Sequence, residues 1–197
     1  MTANFLKYCF ALALMLYMPL ILQSCRQSRK SSGKHSEEYL KTRVEGIYDS
    51  VFAFYNKLDS MDRAGVGYPD DMEWPQFDRL YCTDDWNRQL EAMSRVEEQS
   101  DDTYFYDLSY WLGGTSFDSL SYSNVEVIDR TGDTATVSFT LQNGGMRLPM
   151  LLNMTFERGD WYIDEMTSNW DNSTDYDHIA WKHAMKRFAE TNGAERE

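Results

Sequence analysis

The stretch that decides the fold covers residues 134–164 and has the sequence TATVSFTLQNGGMRLPMLLNMTFERGDWYID. Its first part alternates apolar residues with residues that carry a hydroxyl group. The apolar members are Ala135, Val137, Phe139 and Leu141, and the polar members are Thr134, Thr136, Ser138 and Thr140. A second alternation follows, with its apolar members at Met146, Leu148, Met150, Leu152, Met154 and Phe156. A period of two residues predicts strands with one buried face and one solvated face.

The turns between these segments predict an antiparallel meander of four strands. Asn143-Gly144 is a strong hairpin signal, because a two-residue turn requires backbone angles that these residues adopt easily. A first strand is predicted over residues 122–129, and the last strand follows the turn at residues 158–160. Pro149 lies inside the third strand and lacks the N–H that a central strand donates, so it predicts an edge position or a bulge.

Three segments have the period of an amphipathic helix. The first is Glu37–Met61, with Ser36 as its N-cap and apolar residues spaced alternately four and three apart. These apolar residues are Leu40, Val44, Ile47, Val51, Phe54 and Leu58. The second helix opens with Thr83 as its N-cap and continues to about Glu98. A third helix is predicted over residues 176–190.

Helices that precede a meander predict an α+β fold, in which the helices are segregated from the sheet. The apolar face of the sheet needs a cover, which the first two helices supply. We therefore expect a curved four-stranded antiparallel meander packed on a long N-terminal helix, with an extra C-terminal helix.

The first 24 residues predict a lipoprotein signal peptide. Lys7 precedes an apolar run that ends at Leu22, and the length of this run suits a signal peptide better than a membrane span. Residues 22–25, Leu-Gln-Ser-Cys, resemble the bacterial lipobox, in which the thiol of the cysteine receives the lipid. Cys25 is thus the predicted site of lipid attachment. An ordinary signal peptide and an uncleaved anchor are the alternatives.

The rest of the chain divides into a tether and a domain. Residues 25–36 are polar and basic and predict a lipidated flexible tether, while residues 37–197 predict a single α+β domain. Two or three acyl chains give stable attachment to a membrane. Position 26 is Arg, not the Asp that holds many lipoproteins at the inner membrane, so this resemblance implies the outer membrane, facing the periplasm.

Charge and cysteine content narrow the possible partners. The net charge is −13, and five basic residues but no acidic residue precede Glu37, which leaves −18 for the domain. Such a surface repels nucleic acid and anionic lipid, so the acyl chains are the predicted contact with the membrane.

Cys9 leaves with the signal peptide and Cys25 is acylated, so Cys82 has no internal disulfide partner. We predict that Cys82 is a small buried apolar residue.

Several local sequences are shared with a known group of proteins. They are the long first helix, the second helix opened by Thr83-Asp84-Asp85-Trp86, the segment Trp111-Leu112-Gly113 and the strand at residues 159–164. In these features the chain resembles bacterial lipoprotein and periplasmic domains of the nuclear-transport-factor-like superfamily. The resemblance implies a cystatin-like cone, a curved sheet wrapped around a long helix. That superfamily includes ketosteroid isomerases, scytalone dehydratases and non-enzymatic binding domains, so the fold alone assigns no function.

The open end of such a cone would form a pocket between sheet and helices. Five aromatic residues are candidates to line it, although core packing is the alternative role for each: Tyr55, Trp86, Trp111, Phe139 and Trp161. An isomerase-type site needs a buried carboxylate and a donor such as tyrosine. The sequence offers Asp107 with Tyr55 or Tyr106, but no motif supports this pair, so we predict no catalytic residue.

No metal or cofactor is predicted. His178 and His183 are five residues apart and therefore lie on different faces of a helix. The acidic residues Asp171, Asp175 and Asp177 lack the glycine turn and the ligand spacing of a calcium loop.

Three functions are compatible with these features. The first is a lipid-anchored, non-catalytic domain of the cell envelope that binds an envelope protein or a small apolar ligand. The second is a small cone-fold enzyme of the isomerase or dehydratase type, acting on an apolar ligand. The third is an accessory or immunity protein, because an acidic domain suits a basic partner.

Overall fold

The computed structural model describes residues 33–99, 105, 109–114, 117–168 and 179–193. The predicted signal peptide, Cys25 and the tether up to residue 32 lie outside these residues. The chain divides into two compact units, Met1–Tyr39 and Leu40–Glu197. In the first unit, the Ser36 hydroxyl accepts a hydrogen bond from the Tyr39 N–H at 3.1 Å, as expected of an N-cap.

Three helices precede the sheet. Helix α1 spans Glu37–Arg63, α2 spans Phe77–Tyr81 and α3 spans Asp84–Glu98. The predicted second helix is confirmed as α3, and its N-cap is Thr83, whose side chain accepts a hydrogen bond from the Trp86 N–H. No helix among the described residues is long and apolar enough to cross a membrane.

Five strands form one antiparallel sheet, in which each strand pairs with the next along the chain. The strands are β1 (Ser121–Thr131), β2 (Thr134–Asn143), β3 (Met146–Glu157), β4 (Asp160–Ser168) and β5 (Ile179–Ala180). Helix α4, Trp181–Gly193, follows β5. The predicted α+β class and the hairpin between β2 and β3 are confirmed, but the two turn residues are Gly144 and Gly145, because Asn143 still pairs with Met146.

The predicted number of strands was wrong by one. Ile179 and Ala180 pair with Ser168 and Thr167 of β4 and add a fifth strand at the edge of the sheet. A strand of two residues is too short to show a period of two, so the sequence pattern carries no trace of it.

The start of the last helix was also predicted too early. Helix α4 begins at Trp181, and the predicted residues 176–178 lie outside the described part of the chain. The Glu165 carboxylate accepts hydrogen bonds from the N–H groups of Lys182 and His183, at 2.8 and 3.1 Å. These N–H groups lie in the first turn of α4, where no helical carbonyl is available to them.

Pro149 lies in a central strand of the sheet. β3 lies between β2 and β4, but the described pairing with β4 begins at Met150, whereas Pro149 pairs with Thr140 of β2. The predicted edge position is wrong, because β3 is a central strand of the sheet. The irregularity of the β3–β4 pairing lies elsewhere, between Asn153 and Met154.

One face of the sheet is buried, as the alternation predicted. Its largest contributions come from β2 and β3, namely Ala135, Val137, Phe139, Leu141, Leu148, Met150, Leu152 and Met154. Tyr48 of α1 packs against this face, with its ring centroid 4.5 Å from that of Phe139. Tyr122 of β1 donates a hydrogen bond to the Asp49 carboxylate at 2.8 Å. Complete burial of each large apolar side chain contributes about 1.5–3 kcal/mol.

Main-chain groups along β4 are bonded to the helical part of the domain. The Thr83 N–H donates to the Ile163 carbonyl at 2.9 Å, and Arg43 Nε donates to the Trp161 carbonyl at 3.1 Å. An edge with such bonds is not available for pairing with another chain.

Lys182 joins α4 to the rest of the domain. Its ammonium group donates to Asp164 Oδ2 at 2.8 Å and to Asp85 Oδ2 at 3.0 Å. One cation therefore links α4 to β4 and to the start of α3. This bond defines a contact of the C-terminal helix that the sequence could not assign.

Gly113 lies where the segment at residues 109–114 approaches the sheet. Its φ angle is +61°, and a Cβ atom there would lie 2.5 Å from Leu148 Cδ2. The segment is also held by Asn143, whose amide donates to the Leu112 carbonyl at 3.1 Å. Both the backbone angle and the lack of space require glycine.

We predict that Gly113→Ala lowers the free energy of unfolding by about 2–4 kcal/mol, since it adds left-handed strain and a clash with a buried leucine. Urea unfolding of the residue 33–197 chain measures the change. Gly145→Ala is the control, because no atom lies within 4 Å of a Cβ there and its φ is not positive. Equal losses for the two variants would contradict the prediction.

Candidate functional site

The side-chain carboxylate of Asp78 is the centre of the candidate site. Asp78 lies in α2, and its Oδ1 atom accepts hydrogen bonds from Trp86 Nε1 and from the Tyr110 hydroxyl, both at 2.8 Å. Trp86 comes from α3 and Tyr110 from the segment at residues 109–114. The side chain of Asp78 therefore joins three parts of the chain.

The main chain of Asp78 is engaged as well. Its carbonyl accepts hydrogen bonds from the Cys82 N–H at 2.9 Å and from Asn87 Nδ2 at 3.1 Å. Asn87 Nδ2 also donates to the Thr83 carbonyl at 2.9 Å. These bonds fix the angle between α2 and α3 and hold the carboxylate in place.

Burial and hydrogen bonding act on Asp78 in opposite directions. Burial raises the pKa of the Asp78 carboxyl, while hydrogen bonds from Tyr110 and Trp86 and the neighbouring Trp111 indole oppose this rise. The Trp111 N–H itself is buried without a partner in hydrogen-bond geometry. The net effect is a carboxyl group that holds its proton to a higher pH than an exposed aspartate does.

The pKa values of three groups near Asp78 are raised as well. Burial, followed by the charge of Asp78, raises the pKa of the Tyr110 and Tyr55 hydroxyls. The same two causes, with Asp164 as a third, raise the pKa of the Cys82 thiol well above its usual value. A reactive cysteine needs the opposite shift. Cys82 is fully buried and free, which confirms its predicted role as a small core residue.

A surface cavity of about 440 Å³ lies between α2 and α3. Its lining residues are Gln76, Asp78, Arg79, Asn87, Leu90, Glu91, Ser94, Arg95 and Glu98. The volume suits a small molecule. The lining carries charged side chains of both signs and a single leucine.

Four of the five predicted pocket residues are buried: Trp86, Trp111, Phe139 and Trp161. Tyr55 is half-buried on α1. Tyr110 brings two of the tryptophans together, since its ring centroid lies 5.3 Å from Trp86 and 6.2 Å from Trp111.

The remaining three residues occupy other parts of the aromatic core. Tyr48 links Trp111 to Phe139, with ring centroids 6.0 and 4.5 Å from its own. Phe139 also lines a second cavity of about 480 Å³ on the sheet. Tyr55 packs against Phe77, whereas Trp161 packs edge-on against Phe156 at 5.4 Å.

Among the described acids, Asp78 acts electrostatically on the hydroxyl of Tyr55. Asp107 and Tyr106 lie outside the described residues, as do His178 and the acidic stretch at residues 171–177. Asp78 was missed, although one signal was present: it is the single acid in the short apolar segment Phe77–Cys82. Within the described part of the chain, no three His, Cys, Asp or Glu side chains are grouped to hold a metal ion.

Comparison of the chain with family models, with curated proteins and with solved structures found no match.

We predict that the stability of the native protein relative to Asp78→Asn falls as the pH rises above the ordinary pKa of an aspartate. A raised folded-state pKa means that stabilisation is complete while the carboxyl is protonated and is lost when it ionises. Urea unfolding at several pH values measures the difference.

Asp85→Asn is the control with the opposite sign. The hydrogen bond from Lys182 lowers the pKa of Asp85, so its contribution is present near neutral pH and is lost as the pH falls. The same direction of pH dependence for both variants would contradict the account of Asp78.

Proposed function

We propose that this chain is a lipid-anchored, non-catalytic binding domain of the bacterial cell envelope. The observation that carries the binding role is the filling of the interior by aromatic rings. Tyr48, Trp111 and Phe139 lie in the space between α1 and the sheet, with ring centroids 4.5–6.0 Å apart along the chain of contacts. A domain whose interior is packed in this way presents its binding groups on the surface.

The proposed fold is the cystatin-like cone, with the sheet curved around α1. Three contacts support it, because they join α1 to the sheet and to the residue that precedes β1. Tyr48 packs on Phe139, Asp49 accepts from Tyr122, and Asn56 Oδ1 accepts from the Leu120 N–H at 3.3 Å. These contacts lie at residues 48, 49 and 56, in the middle of α1.

The absence of catalysis is proposed from how two half-buried carboxylates, those of Asp78 and Glu165, are used. Asp78 Oδ1 accepts hydrogen bonds from Trp86 Nε1 and the Tyr110 hydroxyl, and these two bonds hold α2 in place. Glu165, whose pKa burial also raises, accepts from the N–H groups of Met166, Lys182 and His183. Both acids act as acceptors for the protein's own donors, whereas a general base must be available to a substrate.

The anchor is proposed from the lipobox at residues 22–25. Acyl chains on Cys25 would hold the domain at the outer membrane, facing the periplasm, and the basic tether would lie along the lipid headgroups. The partner is an envelope protein or a small apolar ligand, and the net charge of −13 disfavours nucleic acid.

The alternative of a small cone-fold enzyme is favoured by one observation. A carboxyl with a raised pKa and a tyrosine hydroxyl lie 2.8 Å apart at Asp78 and Tyr110, and Asp78 also lines the 440 Å³ cavity. This is the combination of groups that proton transfer next to a carbonyl requires. Deuterium exchange into cyclohexanone, catalysed by the native protein and abolished by Asp78→Asn, would favour the enzyme over the binding domain.

We predict that Cys25→Ala moves the protein from the membrane fraction to the soluble fraction of the producing cell, because no acyl chain can then be attached. Immunoblotting of the separated fractions measures the distribution. Cys82→Ala is the matched control, since that thiol is buried in the domain and should leave the protein at the membrane. Membrane retention of Cys25→Ala would refute the proposed anchor.

A further inference from the structure

We propose that the loop at residues 64–76, between α1 and α2, is a docking surface for a lysine- or arginine-bearing segment of a basic protein. We call it the Trp74 patch and define it by Tyr68, Asp70, Asp71, Glu73 and Trp74. The inference rests on the proposed binding role and adds to it the place of contact and the chemistry of the partner.

Exposed apolar side chains are concentrated in and around the Trp74 patch. Six large apolar residues of the described chain are exposed, and four of them fall between residues 66 and 80: Val66, Tyr68, Trp74 and Leu80. Trp74 is 57% exposed and Tyr68 is 40% exposed. Tryptophan and tyrosine are the residue types that most often dominate the energy of a protein interface.

The exposed rings are held in place rather than projecting freely. The Trp74 ring lies 5.4 Å from Phe54 of α1, and the Tyr68 ring lies 6.2 Å from Trp74. The Tyr68 hydroxyl donates to Asp62 Oδ1 at 2.7 Å. Because these contacts already restrict the rings, a partner that binds them loses little additional conformational entropy.

The charge of the patch defines the partner. Residues 64–76 contain Asp70, Asp71 and Glu73 and no lysine or arginine. Within the described chain, none of these three carboxylates takes part in a salt bridge, whereas nearby Asp59 and Asp118 both bind Arg63. The patch therefore combines unneutralised negative charge with aromatic faces, and a lysine or arginine side chain satisfies both.

The same geometry argues against two other occupants. The planes of Tyr68 and Trp74 meet at 85°, so the rings do not form the flat platform on which a sugar chain would stack. A second copy of this chain would bring the same three carboxylates opposite one another, and like charges at an interface cost free energy.

The test is calorimetric titration of the residue 33–197 chain with a short synthetic peptide of lysine, arginine and leucine. We expect Trp74→Ala to weaken binding by about tenfold, and Asp70→Asn/Asp71→Asn to weaken it by a similar factor that shrinks at high salt. Circular dichroism of each variant shows that it is folded.

Two controls separate the patch from the overall charge of the protein. Ile128→Ala removes an apolar side chain of similar exposure, 56%, from β1. Glu126→Gln/Asp129→Asn removes the same number of negative charges from the exposed side of that strand. Both should bind the peptide within about twofold of the native chain.

Equal weakening by the patch variants and by the controls would overturn the proposal, since binding would then follow net charge alone. Unchanged binding by Trp74→Ala would also overturn it. Binding of chitohexaose, or self-association in sedimentation, that depends on Trp74 would assign the patch to a sugar or to a second copy instead. Each of these failures leaves the membrane fractionation of Cys25→Ala unaffected, so it is distinguishable from failure of the proposed anchor.

Discussion

The structure depends on the junction that Thr83 makes between the helices and the sheet. Its N–H donates to the Ile163 carbonyl, and its hydroxyl both accepts from the Trp86 N–H and donates to Asp164. Thr83 is buried, so each polar group needs a partner to offset its loss of hydration. An N-cap of this kind contributes about 0.5–2 kcal/mol to a helix. Here the same side chain also fixes where that helix meets the central sheet.

The position of α3 determines which groups bind the Asp78 carboxylate. Trp86 follows Thr83 by three residues, so its indole N–H reaches the Asp78 carboxylate, where the Tyr110 hydroxyl also binds. The Asp78 carboxylate is thereby engaged in holding α2, α3 and the segment at residues 109–114 together. This arrangement supports the proposal that the protein acts through its surface, where charge and the exposed rings of Tyr68 and Trp74 are located, and not through an internal reaction.

Sequence reasoning was accurate where a local physical rule decides the structure. The alternation in β2 and β3 and the hairpin between them follow from side-chain period and turn geometry alone. Thr83 was found because an N-cap is a local property. The fifth strand was missed because two residues carry no period, and Asp78 was missed because its donors come from residues 86 and 110, which only the tertiary fold brings together. The exposure of Trp74 could not be predicted either, because an aromatic residue in a loop is equally compatible with burial.

The most direct test of the account is the intact mass of the native protein extracted from cell membranes. If the protein is a lipid-anchored envelope domain, we expect a chain that begins at Cys25 and whose mass is increased by a diacylglyceryl group. In triacylated forms, a further acyl chain on the amino group adds to this mass. An unmodified Cys25, or a mass that still includes residues 1–24, would contradict the account.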